Sequence, residues 1–328
     1  MNKLLNINYI ILKVNKIIIF GASGFIGKNI ALDFKKKFKN TKIIGTYLNN
    51  KPDIKGIRLI KCDLRNKRSV DKILKKADVI IQAAAITSGA KEIIDKPYIH
   101  VSQNVIMNSI VTQSAFENNI KHVILFSCTL MYRSSNKALK EIDFNANKEM
   151  YPNYFGGGWM KVFVEKLGEF YSRLNRNKYT LIRHSNIYGP HDKFDLEKSH
   201  VFGASINKVV NSKNNTLTIW GKGTEGRDLL YIDDLVRFVE LAIKNQKKKF
   251  GLYNVGYGKL ISINNLVKKI IKIYGKKINI YNDFSKKSLK NSVFLNCNKA
   301  YKELRWKKKI SLDQGIKKTL KWYLQNKK

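Results

Sequence analysis

Acidic residues are scarce: 24 Asp and Glu stand against 63 Lys and Arg, a formal net charge of +39. Taken alone, that imbalance points to an anionic partner, whether nucleic acid, a membrane surface or a phosphorylated ligand. The cations are mostly lysines, however, spread along the whole chain beside abundant Ile and Asn, with no nucleic-acid-binding motif among them. The charge reads as compositional bias, and neither nucleic acid nor membrane is expected as a partner. Lys35-Lys36-Lys37 and Lys247-Lys248-Lys249 fall where helices are expected to end, where positive charge suits the helix dipole. Cysteine is scarce too. Cys62, Cys128 and Cys297 are odd in number and far apart. That scatter excludes a disulfide framework and a metal-ligand spacing, and predicts reduced thiols in a cytoplasmic protein with no metal. No apolar run approaches the ~20 residues of a membrane span. Residues 1–15 lack a small-residue cleavage site behind their apolar stretch, and read as an extra edge strand or a leader, not a signal peptide. Internal repeats and low-complexity linkers are also missing from the 328 residues, a length that suits one large α/β unit or two domains.

One stretch organises what is present. Lys16-Ile17-Ile18-Ile19-Phe20 is a short apolar run that ends in Gly21-Ala22-Ser23-Gly24-Phe25-Ile26-Gly27, after which Ile26, Ile30, Ala31 and Phe34 recur at helical spacing. Strand, tight turn and helix are thus predicted in succession. In a dinucleotide-binding turn, Gly21 lets the chain leave the strand, Gly24 clears space for a pyrophosphate, and Gly27 lets helix and strand pack closely. The helix N-terminus then offers free N–H groups and partial positive charge to the phosphates. Further strands are expected at residues 41–47, 57–64, 78–85, 122–127 and 179–184, and helices at 69–76, 98–118 and 159–174. Strands alternating with helices predict a parallel, doubly wound sheet. The second strand ends in Thr46-Tyr47-Leu48-Asn49-Asn50-Lys51 without an acid, which favours NADP over NAD, with Lys51 a candidate partner for the extra phosphate. Asp63 closes the third strand, as an acceptor for the adenine amino group or as the N-cap of the next helix. Ala83-Ala84-Ala85 ends the fourth strand with side chains small enough for a cofactor to lie against.

Together, the glycine turn, Asp63-Leu64, Ala83-Ala84-Ala85, Asn186-Ile187-Tyr188-Gly189-Pro190, the stretch from Gly221 to Asp234 and Tyr253-Asn254-Val255-Gly256 resemble the extended short-chain dehydrogenase/reductase superfamily. The resemblance runs from Lys16 through nearly all of the chain. Within that superfamily, Asn186 to Val201 is most similar to the GDP-L-fucose synthase family of NADPH-dependent epimerase-reductases. It implies a Rossmann-type sheet formed mainly by residues 1–185, with 229–260 returning to it, and a smaller α/β substrate domain from 186–328. It implies NADP as cofactor, NAD being the alternative, with Gly21, Ser23, Gly24, Phe25, Ile26, Gly27, Asp63, Leu64, Ala83, Ala84, Ala85, Lys161 and Asn186 around it. A nucleotide-diphosphate sugar would meet Asn186, Lys208, Trp220 and Arg227, and His200 would protonate the sugar. A homodimer through helices 98–118 and 159–174 is also implied.

Two positions depart from the pattern that the resemblance brings. In the superfamily a Tyr four residues before the Lys supplies the proton, and the Lys lowers its pKa. Here Lys161 is preceded at that spacing by Gly157. The nearest upstream phenol, Tyr154, is seven residues away, about 10.5 Å of helical rise instead of about 6 Å. Gly156-Gly157-Gly158 disfavours a continuous helix, so a loop is expected there that folds Tyr154 back toward the cofactor, with the helix beginning at Trp159. The usual Ser or Thr position holds Cys128, a weak hydrogen-bond donor, with Thr129 adjacent. Two readings stay open on these residues: an NAD(P)-dependent epimerase/reductase on a nucleotide sugar, or a dinucleotide-binding regulatory or scaffold protein of the same fold that has lost turnover.

Overall fold

A computed structural model describes residues 14–87, 96–196, 199–285 and 291–327. The expectation for residues 1–15 therefore lies almost wholly outside the described residues. Seven parallel strands form the main sheet: β1 (Lys16–Phe20), β2 (Lys42–Tyr47), β3 (Arg58–Lys61), β4 (Val79–Gln82), β5 (His122–Phe126), β6 (Lys178–His184) and β10 (Phe250–Val255). Their order across the sheet is β10-β6-β5-β4-β1-β2-β3. The third strand is shorter than its apolar run suggests.

Near-continuous apolar strands make sense for a sheet covered on both faces. The period of two sends Ile17, Ile19, Val79, Ile81, Ile124 and Phe126 into one buried cluster. Ile18, Phe20, Ile80, Val123 and Leu125 enter the other. On the first face lie α1 (Phe25–Lys37) and α6 (Ile232–Asn245), joined by a Lys37–Glu240 ion pair at 2.8 Å. On the second lie α2 (Lys67–Leu74), α3 (Ser102–Glu117) and α4 (Phe155–Arg173), with α3 packed between the other two. Lysines 35–37 close α1, and Lys247 to Lys249 follow α6, in the places their charge suits.

The remaining strands build two small sheets: β11 (Leu260–Ser262), β9 (Gly226–Tyr231) and β7 (Asn186–Tyr188) in one, β12 (Asn279–Asp283) and β8 (Thr216–Trp220) in the other. Helices α5 (Val201–Val210), α7 (Ile263–Tyr274), α8 (Asn298–Leu304) and α9 (Leu312–Asn326) complete the described elements. Of the stretch 229–260, β10 joins the large sheet and α6 packs on α1, while β9 and β11 stay with the small one. None of the described helices is long and apolar enough to cross a membrane.

Candidate active site

The glycine turn stands at the C-terminal edge of the sheet, where ligands of open α/β folds bind. Gly21 has φ +74°, and a Cβ there would lie 2.6 Å from the Ala84 backbone. A Cβ on Gly27 would lie 2.2 Å from the Gly21 carbonyl oxygen. These two glycines are demanded by the protein's own packing. Gly24 is different: φ is −83°, and an added Cβ would meet only the Gly21 oxygen at 3.4 Å, an ordinary contact. Nothing within the fold requires glycine there, which is the expected state of a surface kept clear for a ligand backbone. Gly24 also caps α1 without a side-chain bond, and no acid occupies the first turn. The free N–H groups and positive dipole end suit a pyrophosphate. Ser23 is exposed, Phe25 and Ile26 are half-buried, and Ala83, Ala84 and Ala85 run outward beside the turn. Thr46 fixes the turn to the end of β2, accepting from Gly21 N–H through Oγ1 and from Ala22 N–H through its carbonyl.

Asp63 does not cap a helix. The N-cap of α2 is Asn66, whose side chain accepts from Ser69 N–H. The Asp63 carboxylate instead grips the Arg65 guanidinium at 2.7 Å, which lowers its pKa chiefly through that side-chain hydrogen bond. Leu64 is buried in the core beneath it. Lys51 lies exposed beyond β2.

The expected loop at Gly156–Gly158 is absent, and this is the main correction to the sequence reading. Helix α4 begins at Phe155 and runs unbroken through all three glycines to Arg173. Close packing outweighs propensity here. A Cβ on Gly158 would lie 2.4 Å from Met150 Sδ, and one on Gly156 would lie 3.0 Å from Val101 Cγ2. Tyr154 is therefore not on a flexible tether: it ends a short 3₁₀ turn, Pro152–Tyr154, and is the N-cap residue of α4, its ring 5.4 Å from that of Tyr151. Lys161, two turns on, donates from Nζ to the Phe126 carbonyl at the end of β5, at 2.9 Å.

Electrostatic influence links several of these side chains. Arg227 and Cys128 both act on the Tyr154 phenol, and Lys161 acts on Cys128. Lys161 and His200 both act on His184, and Lys193 acts on His200. Burial is the largest cause in each case. It raises the Tyr154 phenol and the Cys128 thiol, so both stay protonated at neutral pH. His200 N-caps α5, open to solvent yet walled by protein, with its pKa lowered by burial and then by Lys193. Thr129 sits in the turn after Cys128, its carbonyl accepting from Tyr132 N–H.

On the far side, Lys208 donates to the Thr218 carbonyl at 2.8 Å and lies 5.5 Å from the centre of the Trp220 ring, which is 38 % exposed. A cation over a half-open indole leaves one aromatic face for a ligand base. Arg227 is held by the carbonyls of Gly226 and Asn291 at 2.9 and 2.7 Å. Asn186 donates to the Asp228 carbonyl at 3.3 Å. Asn29 of α1 donates to the Pro190 carbonyl, tying the cofactor-side helix to the loop that leads to His200.

A buried network joins α4, β5 and β6. Arg183 and Glu165 pair at 2.7 Å, and Ser127 donates to Glu165 at 2.6 Å. Arg183 also donates to the Tyr132 hydroxyl, which donates on to Asn254. Glu165 is one turn after Lys161, so this pair locks α4, β5 and β6 in mutual register. Leaving either charge alone in such a site costs about 3–5 kcal/mol. His184, beside Arg183, is the residue that sequence reasoning missed. Its place at the end of a sheet strand, two residues before Asn186, was the available signal.

A parallel sheet covered by helices on both faces, with a glycine turn at its C-terminal edge, defines a doubly wound α/β protein of the dinucleotide-binding class. Residues 17–256 match the NAD dependent epimerase/dehydratase family, and the chain belongs to that family. It is 30% identical over 319 residues to the GDP-L-colitose synthase of Yersinia pseudotuberculosis, covering 95% of this chain and 99% of that one. It is 26% identical over 263 residues to the GDP-L-fucose synthase of Escherichia coli K12, covering 77% and 82%. Among solved structures, the UDP-glucose 4-epimerase of Thermotoga maritima, in complex with UDP-glucose, superposes with a TM-score of 0.84 at 21% identity, over 95% of this chain and 100% of that chain. The UDP-glucuronic acid 4-epimerase of Bacillus cereus, bound to UDP-glucuronic acid and NAD, gives 0.80 at 23%, over 94% and 99%. These two likenesses establish the shared fold.

Proposed function

We propose that this protein is an NAD(P)-dependent epimerase/reductase acting on a nucleotide-diphosphate sugar. The observation that carries the reading is the similarity of 95% of the chain to a GDP-L-colitose synthase, beside an α1 N-terminus that Gly24 keeps clear of side chains. When bound, the reduced nicotinamide supplies the hydride. The residues of the chain do the rest. Gly24 and the start of α1 take the pyrophosphate, and Lys161 holds the nicotinamide ribose. Tyr154, protonated and fixed at the head of α4, gives its proton to the sugar oxygen. Lys208 and Arg227 meet the diphosphate, and Trp220 meets the base. The names of the GDP-L-colitose and GDP-L-fucose synthases favour a GDP-linked keto-deoxy sugar as substrate. The missing acid after β2 favours NADP. A cytoplasmic setting agrees with three free thiols among the described residues.

His200 is proposed to protonate the sugar carbon in an epimerisation. His200→Asn is expected to keep cofactor and sugar-nucleotide affinity but to slow wash-in of deuterium at the sugar ring by ~10²–10⁴-fold. Mass spectrometry of recovered substrate from deuterated water reads this directly; an unchanged rate would remove His200 from the mechanism.

A homodimer through α3 and α4 is part of the same reading. Phe155, Phe163 and Phe170 of α4 and Ile106 of α3 are all exposed. Light scattering is expected to give twice the monomer mass, and Phe163→Glu with Phe170→Glu to halve it; a monomeric wild type would contradict this.

A further inference from the structure

His184 ends β6, two residues before Asn186, with its ring beside Phe126 of the neighbouring strand β5. Its Nδ1 lies 2.8 Å from the Ser185 carbonyl oxygen. A carbonyl can only accept, so Nδ1 carries the hydrogen. In the neutral ring Nε2 then holds the lone pair. Among the described residues no hydrogen bond reaches Nε2, and it is not among the sealed polar atoms without partners. The Phe126 ring stands edge-on to the imidazole, with centroids 6.1 Å apart. Phe126 is also the residue whose carbonyl anchors Lys161. The imidazole is thus oriented from one side by the backbone and from another by an aromatic ring, and its Nε2 lone pair is left unmatched.

We propose that His184 is a fixed, neutral hydrogen-bond acceptor that selects a sugar hydroxyl beside the reacting carbon. This rests on the nucleotide-sugar reading above. Burial supports it, holding the ring's pKa at about 4, with Lys161 and His200 acting in the same direction. The ring is therefore uncharged at neutral pH. A lone pair in that position welcomes an O–H and repels a carboxylate oxygen, so neutral keto-deoxy sugars are favoured over uronic acids. An acceptor left unmatched by a ligand lacking the hydroxyl is penalised for its lost solvation.

Two measurements test the proposal. The first needs no turnover. In ¹⁵N-histidine-labelled protein, the His184 ring is expected to show a protonated Nδ1 and a bare Nε2 from pH 8 to pH 5, with no titration. Assignment comes from His184→Gln. A ring that titrates near the free value, about 6.5, or that carries its hydrogen on Nε2, would overturn the proposal. The second uses a GDP-linked keto-deoxyhexose with NADPH. His184→Leu is expected to lose 10- to 100-fold in kcat/KM, mostly in KM, while His184→Gln, whose amide oxygen also accepts, recovers to within about threefold of wild type. Equal losses in both variants would mean a merely structural side chain. If wild type turns over no nucleotide sugar, the function reading fails, while the tautomer measurement still decides the state of His184.

Discussion

Gly24→Val is expected to abolish dinucleotide binding while leaving the fold intact. The backbone at Gly24, φ −83° and ψ 167°, is open to any residue, and a Cβ there finds only an ordinary contact with the Gly21 oxygen at 3.4 Å. The branched side chain would instead fill the space before the N-terminus of α1, where a pyrophosphate must come within hydrogen-bonding distance of bare N–H groups. A loss of at least ~100-fold in affinity, about 2.7 kcal/mol, is expected. Fluorescence titration with NADPH and NADH measures it, the wild type binding NADPH more tightly. The melting temperature should not move. Gly27→Val is the contrasting control, since its Cβ would strike the Gly21 carbonyl oxygen at 2.2 Å and should damage the fold itself. Unchanged NADPH affinity in Gly24→Val would sink the site assignment.

Tyr154→Phe carries the other large effect. Turnover is expected to fall by ~10²–10⁴-fold, the usual worth of a positioned general acid, with NADPH affinity unchanged. The ring's packing against Tyr151 survives the substitution; only the hydroxyl is lost. The sign of its titration follows from burial, which raises the phenol above its ordinary value of about 10. The donor therefore remains protonated across the neutral range, and its own titration should not cause loss of activity below pH 10. Wild type and Tyr154→Phe equally inert would favour a protein that kept the fold and lost turnover. Both equally active would point to Cys128 or Thr129 as donor.

Much of this architecture is legible in the residues themselves. The strand–turn–helix at Lys16 to Lys37 is written in an apolar run, three glycines and a helical period, all local signals. The parallel sheet follows from apolar strands alternating with helices. The first turn of α4 is not legible, because its glycines answer to Met150, Val101 and Leu130, which all lie outside the helix. Intrinsic propensity is a weak prior that such contacts override. The same distance hides the candidate site, since Tyr154, Cys128, His184 and Arg227 come from four separate segments. Asp63 shows a subtler limit: the cap of α2 is Asn66, three residues on, and the Asp63 carboxylate pairs with Arg65 instead.

The measurement that bears most directly on the account is NADPH consumption by the purified wild-type protein given a GDP-linked keto-deoxyhexose. The account predicts oxidation of the cofactor in step with formation of the reduced sugar nucleotide, abolished in Gly24→Val and reduced by orders of magnitude in Tyr154→Phe. Tight NADPH binding with no oxidation, across GDP-, UDP- and dTDP-linked keto sugars alike, would contradict it.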